Sequence, residues 1–113
     1  MTTLADKLRN EPGVDITRLQ AGIRLLVETE KAVYEINVLR PQLAIVEIVS
    51  SETCVRRPTV GQYVGGHLPP DCDVPAWIGK GLQMVLRFRN VNHTTSPVTA
   101  LEVKAATWHY NVF

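Results

Sequence analysis

Four side chains carry the sulfur and nitrogen atoms that zinc prefers as ligands, namely Cys54, His67, Cys72 and His93. Structural zinc sites usually take their ligands in close pairs, because one tight turn then sets two of the four ligands in advance. The spacing here contains neither a CxxC nor an HxxxH pair. The sequence therefore favours two thiols and two histidines in polar loops, and we predict no metal and no cofactor.

Residues 54–73 contain the side-chain types that a thiol-dependent catalytic site needs. Cys54 or Cys72 would be the nucleophile, His67 the general base, and Asp71 or Asp73 the group that orients the base. No nucleophile-elbow motif such as GxSxG is present, and a solvated polar loop accounts for these residues equally well. An enzyme is therefore the least favoured of three functional hypotheses.

A polar and basic strand face is the next candidate. In the predicted strand 82–89, the side chains of Gln83, Arg87 and Arg89 point to the same side, and Lys80 lies just before them. Small β-barrels bind single-stranded nucleic acids by combining positive charge with base stacking. Four aromatic residues are available for stacking: Tyr63, Trp77, Trp108 and Tyr110.

The charge balance weighs against nucleic acid as the main partner. The chain has 12 basic and 11 acidic residues and a formal net charge of +1, whereas proteins that bind phosphate backbones usually show a basic excess or stripe. The first predicted hairpin also presents Glu28, Glu30 and Glu35. An ordinary mixed-charge sheet face explains the arginines as well, so nucleic-acid binding is the second hypothesis.

Association with protein is the leading hypothesis. The segment 43–49 is almost wholly apolar, and the aromatic tail 105–113 contains Trp108, Tyr110 and Phe113. Exposed apolar patches usually mark interfaces. We therefore predict a non-enzymatic binding or assembly module, either as a homo-oligomer or with another protein, with these three aromatic residues at its interface.

Short helical turns are expected over residues 2–22. Leu4 and Leu8 lie one helical turn apart, and Thr3 with Asp6 resembles a capping box. Asp15 has the position of a cap for a second turn. Gly22 suits a left-handed stop after it.

Apolar side chains with a period of two predict a sheet over residues 23–104. The polar segment Asn90 to Ser96 is interpreted as a turn, and an irregularity near Ala100 as a β-bulge. Residues 50–75, which are rich in proline and glycine, are interpreted as a long loop, with Gly65-Gly66 at a turn. Five strands are predicted, at 23–29, 33–38, 43–49, 82–89 and 97–103.

These elements predict one domain over residues 1–113. The fold class is mostly β, a small and partly open antiparallel β-barrel of about five strands with one or two short N-terminal helices. The N-terminal sequence lacks the apolar run of a secretory signal, and no stretch has the length of a membrane span. We therefore expect a cytoplasmic protein with reduced cysteines.

Four segments together resemble a group of short bacterial proteins of unknown function. They are GIRLLVET at 22–29, YEINVL at 34–39, WIGKGLQM at 77–84 and TTSPV at 94–98. The resemblance covers roughly residues 22–98. It implies a β domain and no particular activity.

Overall fold

The computed structural model describes residues 3–51 and 56–104. This part of the chain contains one α-helix, α1 (Leu4–Arg9), and short 3-10 turns at Ile16–Arg18 and Pro41–Leu43. The remaining regular structure is β. The strands are β1 (Gly13–Asp15), β2 (Arg24–Thr29), β3 (Val33–Arg40), β4 (Ile45–Ser50), β5 (Thr59–Leu68), β6 (Cys72–Pro75), β7 (Trp77–Gly79), β8 (Gln83–Phe88) and β9 (Val91–Lys104).

Six of these strands form a closed ring of antiparallel pairs in the order β2-β3-β4-β5-β8-β9, since β9 pairs again with β2. The ring closes between Ile45–Ile48 of β4 and Thr59–Gln62 of β5. Strand β6 extends beside the second half of β5, and β1 with β7 forms a separate two-stranded sheet. The predicted β class is confirmed. The predicted count of five was too low, and the strand pairing returns to its starting point instead of staying open.

Alternate side chains of the ring strands point into a common core. Every second residue from Leu25 to Val27, from Tyr34 to Val38 and from Met84 to Phe88 is buried, as the period-two pattern predicts. Each fully buried aliphatic side chain contributes about 1.5–3 kcal/mol relative to its exposed state. Burial of this one face therefore sets the register of the sheet.

Strand β4 buries one face only. Val46, Ile48 and Ser50 are buried, while the alternating residues from Ile45 to Val49 are half-buried. Leu43, predicted to begin this strand, lies in a 3-10 turn and is 57% exposed. The apolar run is therefore longer than the strand that it forms.

In the N-terminal segment 3–22, the predicted caps at Thr3 and Asp15 are confirmed. Residues 13–15 form a strand where helical turns were predicted. The Thr3 hydroxyl accepts from the Asp6 amide in a capping box, and Asp15 accepts from the Thr17 amide at the start of the 3-10 turn. Gly22 has a left-handed φ of 91°. Residues 13–15 are not helical, because they pair with Trp77–Gly79 of β7, a partner distant in sequence.

The predicted loop over 50–75 was wrong for much of its length, because β5 and β6 lie within it. Glycines suggested a loop, yet in β5 they allow close packing. A Cβ atom on Gly61 would lie 2.5 Å from the Phe88 ring, and one on Gly66 would lie 2.9 Å from Leu82. Gly65-Gly66 accordingly lies in a strand and not at a turn.

The turn predicted over Asn90 to Ser96 was also wrong. Strand β9 starts at Val91, and the turn consists of Arg89 and Asn90, with φ of 50° and 66°. Positive φ at both residues is the geometry of a tight two-residue hairpin turn. Glycine, asparagine and aspartate are the residues most often found in such turns. The bulge expected near Ala100 is confirmed, because the β2–β9 register shifts between Glu28 and Thr29 opposite it.

No helix in the described ranges is long and apolar enough to cross a membrane.

The backbone of Arg89 has a left-handed conformation, which is unfavourable for most residues that carry a side chain. We expect Arg89→Asn to raise the free energy of unfolding by about 0.5 kcal/mol, because asparagine tolerates this conformation better. Urea denaturation measures the change. The matched control is Arg57→Asn, which removes an exposed arginine elsewhere; equal effects of the two substitutions would contradict the strain at Arg89.

Candidate functional site

A concave surface of the described residues lies beside the β8–β9 hairpin. It is an open depression of about 720 Å³. Tyr34, Leu86 and Phe88 contribute its apolar lining, and Glu30 and Lys31 of the β2–β3 turn lie at its rim. Residues 92–97 of β9 form its wall. A volume of this size is in the range of small-molecule sites, of roughly 300–1,000 Å³.

The wall of the depression is a strand edge. β9 pairs with β8 from Val91 onward, but its pairing with β2 begins only at Val98. The two-residue turn makes Phe88 and Val91 the first hydrogen-bonded pair, so the alternation of an antiparallel ladder directs the N–H and C=O groups of Asn92 and Thr94 away from β8. Within residues 3–51 and 56–104, no backbone partner faces these two residues on that side.

A polar cluster fixes the point where β9 meets β2. The buried Thr95 hydroxyl accepts from the Met84 amide at 3.0 Å and donates to the Ser96 carbonyl at 2.7 Å. The Ser96 hydroxyl accepts from the Lys31 amide at 3.1 Å, and the Pro97 carbonyl accepts from the Glu30 amide at 3.1 Å. These bonds hold the β2–β3 turn against the far end of the open edge.

The two faces of the edge differ in chemistry. His93 lies opposite Leu86 on the inner face, and its ring centre is 5.4 Å from that of Phe88. On the outer face, Arg87 donates from Nε to Asn92 Oδ1 at 2.9 Å. A segment that paired with this edge would thus meet an aromatic surface on one side and a polar surface on the other.

The structure distributes the predicted nucleic-acid residues over several places. Gln83 and Arg87 lie on the outer face of β8, and Gln83 also borders the depression. Lys80 precedes β8 and borders a different, smaller depression beside Thr99 and Leu101. Arg89 lies in the hairpin turn. The residues therefore do not share one depression.

Tyr63 is not available for base stacking. Its side chain is 1% exposed, and its hydroxyl donates to the Trp77 carbonyl at 2.7 Å. Burial raises the pKa of the Tyr63 phenol well above its ordinary value. Trp77 is half-buried with the guanidinium of Arg9 5.8 Å from its ring centre. Trp108, Tyr110 and Phe113 lie outside the described residues.

The thiol and histidine candidates assemble only in part. His67 and Asp73 are partners across the β5–β6 pair, with 2.7 Å between Nδ1 and Oδ1. Cys72 is adjacent to Asp73 on β6 and therefore points to the opposite face from His67. His93 lies on β9, and Cys54 is outside the described ranges. Residues 3–51 and 56–104 contain no group of three side chains able to hold a metal.

The comparisons with known proteins give no match: no family model, no curated protein and no solved structure is similar to this chain.

Sequence reasoning missed the open edge because Asn92, Thr94 and Thr95 were assigned to a turn. Their polar side chains resemble a loop, whereas Thr94 and Thr95 are β-branched and suit a strand. Asn90 could have distinguished a strand from a loop, because asparagine tolerates the left-handed conformation of a two-residue turn and so places the turn just before Val91. Neither signal shows which side of the strand lacks a partner.

Thr95→Val should destabilise the protein by about 1–3 kcal/mol, because it leaves the buried Met84 amide without its acceptor. The matched control is Thr94→Val on the exposed face of the same strand, for which we expect a change within about 0.5 kcal/mol. Thermal unfolding of both variants provides the measurement. Similar losses in the two variants would contradict the role of the Thr95 hydroxyl.

The variant Tyr63→Phe tests whether the buried phenol makes the free energy of unfolding depend on pH. The unfolded chain loses the Tyr63 proton above about pH 10, whereas the folded chain keeps it because burial raises the pKa. The stability that depends on the protonated phenol is therefore fully present below this pH and declines as pH rises. We expect the free energy of unfolding to fall more steeply above pH 10 in the unmodified chain than in Tyr63→Phe, measured by urea denaturation. Parallel pH profiles would contradict the burial argument.

Proposed function

We propose that this chain is a non-enzymatic assembly module that associates with a second copy of itself through the open edge of β9. The single observation that carries the proposal is that no strand of residues 3–51 and 56–104 pairs with the outward side of Asn92 and Thr94. We further infer that the ring is a small β-barrel filled by its own side chains, with its recognition surface at this edge.

The open edge favours a β-strand as its partner. The N–H and C=O groups of Asn92 and Thr94 face outward, and a paired strand would bond to them with about 0.5–1.5 kcal/mol for each hydrogen bond. Natural edge strands usually carry a lysine or another charge that prevents unwanted pairing. Residues 91–97 contain neither lysine, arginine, aspartate nor glutamate, so no charge opposes pairing at Asn92 and Thr94. Pro97 and the register shift of the β8–β9 pair protect only the end of the edge nearest β2.

Charge supports a second copy as the partner. With a net charge of +1, two identical chains meet with little long-range repulsion, and a net charge near zero promotes association. Val91, at the tip of the edge, is 56% exposed and would be covered in the complex. A different protein as partner is an outcome that the experiment below separates from self-association.

Single-stranded nucleic acid is the second candidate, and one observation favours it. The exposed Arg87 supports it, but its guanidinium is engaged by Asn92, and Tyr63 is buried. We expect no binding of a labelled single-stranded oligonucleotide at about 50 mM salt, a condition that favours phosphate contacts. Fluorescence anisotropy measures it; salt-sensitive binding that Arg87→Ala and Lys80→Ala abolish would contradict the expectation.

Thr94→Pro tests the edge itself. Proline removes the N–H that faces outward, and this N–H is not part of the ladder with β8. We expect the dimer dissociation constant, measured by analytical ultracentrifugation from micromolar to millimolar concentration, to rise at least about tenfold, equivalent to about 1.4 kcal/mol.

Thr94→Ala is the matched control, because it shortens the same side chain and keeps the N–H. Its dissociation constant should stay within about threefold of the unmodified chain, less than about 0.7 kcal/mol. Circular dichroism verifies that both variants fold. A chain that stays monomeric up to millimolar concentration would contradict the proposal, and so would a Thr94→Pro variant that dimerises as the unmodified chain does.

A further inference from the structure

We infer that two copies pair antiparallel along the open β9 edge with His93 of each copy at the two-fold axis, so that protonation of this histidine separates them. The inference rests on the proposed self-association, and it adds the register of the contact and its dependence on pH. It follows from three features of β9: the residues with outward backbone groups, the side chain that lies between them, and the charges that border that side chain.

The backbone of β9 selects one register for such a pair. In a two-fold contact between identical antiparallel strands, each residue faces the residue that lies equally far on the other side of the axis. Asn92 and Thr94 have the outward N–H and C=O groups. With the axis at residue 93, Asn92 of each copy faces Thr94 of the other, and each facing pair exchanges both of its hydrogen bonds.

The neighbouring registers satisfy fewer of these groups. With the axis at Asn92, Thr94 faces Asn90 of the second copy, which lies in the hairpin turn with a φ of 66°. With the axis at Thr94, Asn92 faces Ser96, which lies within the register shift of the β8–β9 pair and whose carbonyl already accepts from the Thr95 hydroxyl. The register centred on residue 93 therefore pairs all the outward groups of Asn92 and Thr94.

This register brings the two His93 side chains together. Residue 93 faces its counterpart as a non-hydrogen-bonded pair, in which the Cα atoms lie about 4.5 Å apart and the side chains are close. Both imidazoles lie on the inner face, each with its ring centre 5.4 Å from that of its own Phe88. Val91, which is 56% exposed, faces Thr95 of the second copy on the same side and becomes covered.

Protonation places two positive charges opposite each other at the axis. Histidine side chains ordinarily gain a proton as the pH falls through about 6.5, and like charges directly opposite each other destabilise a pair of strands. On β8, Leu86 and Phe88 are uncharged, and Arg87 lies on the outer face, bonded to Asn92. No group on β8 therefore offsets the repulsion on the inner face.

The β2–β3 side of the depression gives no net compensation either. In the part of the chain that the structure describes, the charged side chains bordering the depression are Glu30 and Lys31, which have opposite signs. Tyr34 of β3 also lines it, and a phenol is uncharged below about pH 10. The contact is therefore strongest while both copies of His93 are neutral, above about pH 6.5, and weakens as the pH falls.

Sedimentation of full-length chains tests the dependence on pH. We expect the dimer dissociation constant to be at least about tenfold higher at about pH 5 than at about pH 8. His93→Gln carries no charge at either pH and should reduce this change to less than about threefold. The matched control His67→Gln removes the histidine of β5 and should keep the full change. Circular dichroism verifies that both variants fold at both pH values.

A disulfide tests the register. In a chain with Cys54→Ser and Cys72→Ser, we expect His93→Cys to form a covalent dimer on oxidation at about pH 8, because the facing Cα atoms lie within the range that a disulfide spans. Thr94→Cys is the matched control. The two Thr94 residues lie two positions apart along the paired strands, beyond the limit of about 7 Å. Non-reducing electrophoresis measures the covalent dimer.

The outcomes separate this inference from the proposed self-association. A dimer with the same dissociation constant at both pH values, or one whose pH dependence persists in His93→Gln, would overturn the inference and leave self-association standing. A dimer that is cross-linked through Thr94→Cys and not through His93→Cys would do the same. A chain that is monomeric up to millimolar concentration at about pH 8 would overturn both.

Discussion

Closure of the strand ring between β4 and β5 is the contact on which the rest of the structure depends. Four residues of β4, from Ile45 to Ile48, pair with the start of β5. This pairing turns a sheet with two edges into a ring and places Val46 and Ile48 against the common core. Without it, β4 and β5 would both expose unpaired backbone groups, and the core would open on one side.

One part of the ring leaves a strand edge without a partner among the described residues. Because β9 is much longer than β2, their pairing ends at Val98 and the first half of β9 continues beside β8 alone. The bonds of Thr95 and Ser96 fix that transition. The depression and the open edge thus have a common origin in a difference of strand length.

Particular residues show which parts of the fold the local sequence pattern predicted correctly. Leu25, Ile36 and Leu86 lie on the strand faces that the period-two pattern turns inward, and all three are buried. The same rule failed for residues 59–68, because glycines that permit close approach of Phe88 and Leu82 resemble glycines of a loop. It also failed for Asn92 to Ser96, because these polar side chains include the buried Thr95, whose hydroxyl bonds to the Met84 amide and the Ser96 carbonyl.

The sequence by itself determined the β class, the inner faces of the strands and the local caps, because these depend on neighbours within a few residues and on the period of burial. Only the tertiary structure decided the ring order, the separation of Cys72 from the His67–Asp73 pair, and the open side of β9. Those features depend on which distant strands meet and where a pairing stops. Backbone hydrogen bonds carry no side-chain signature, so the unpaired edge at Asn92 and Thr94 becomes visible only once β2 is in place.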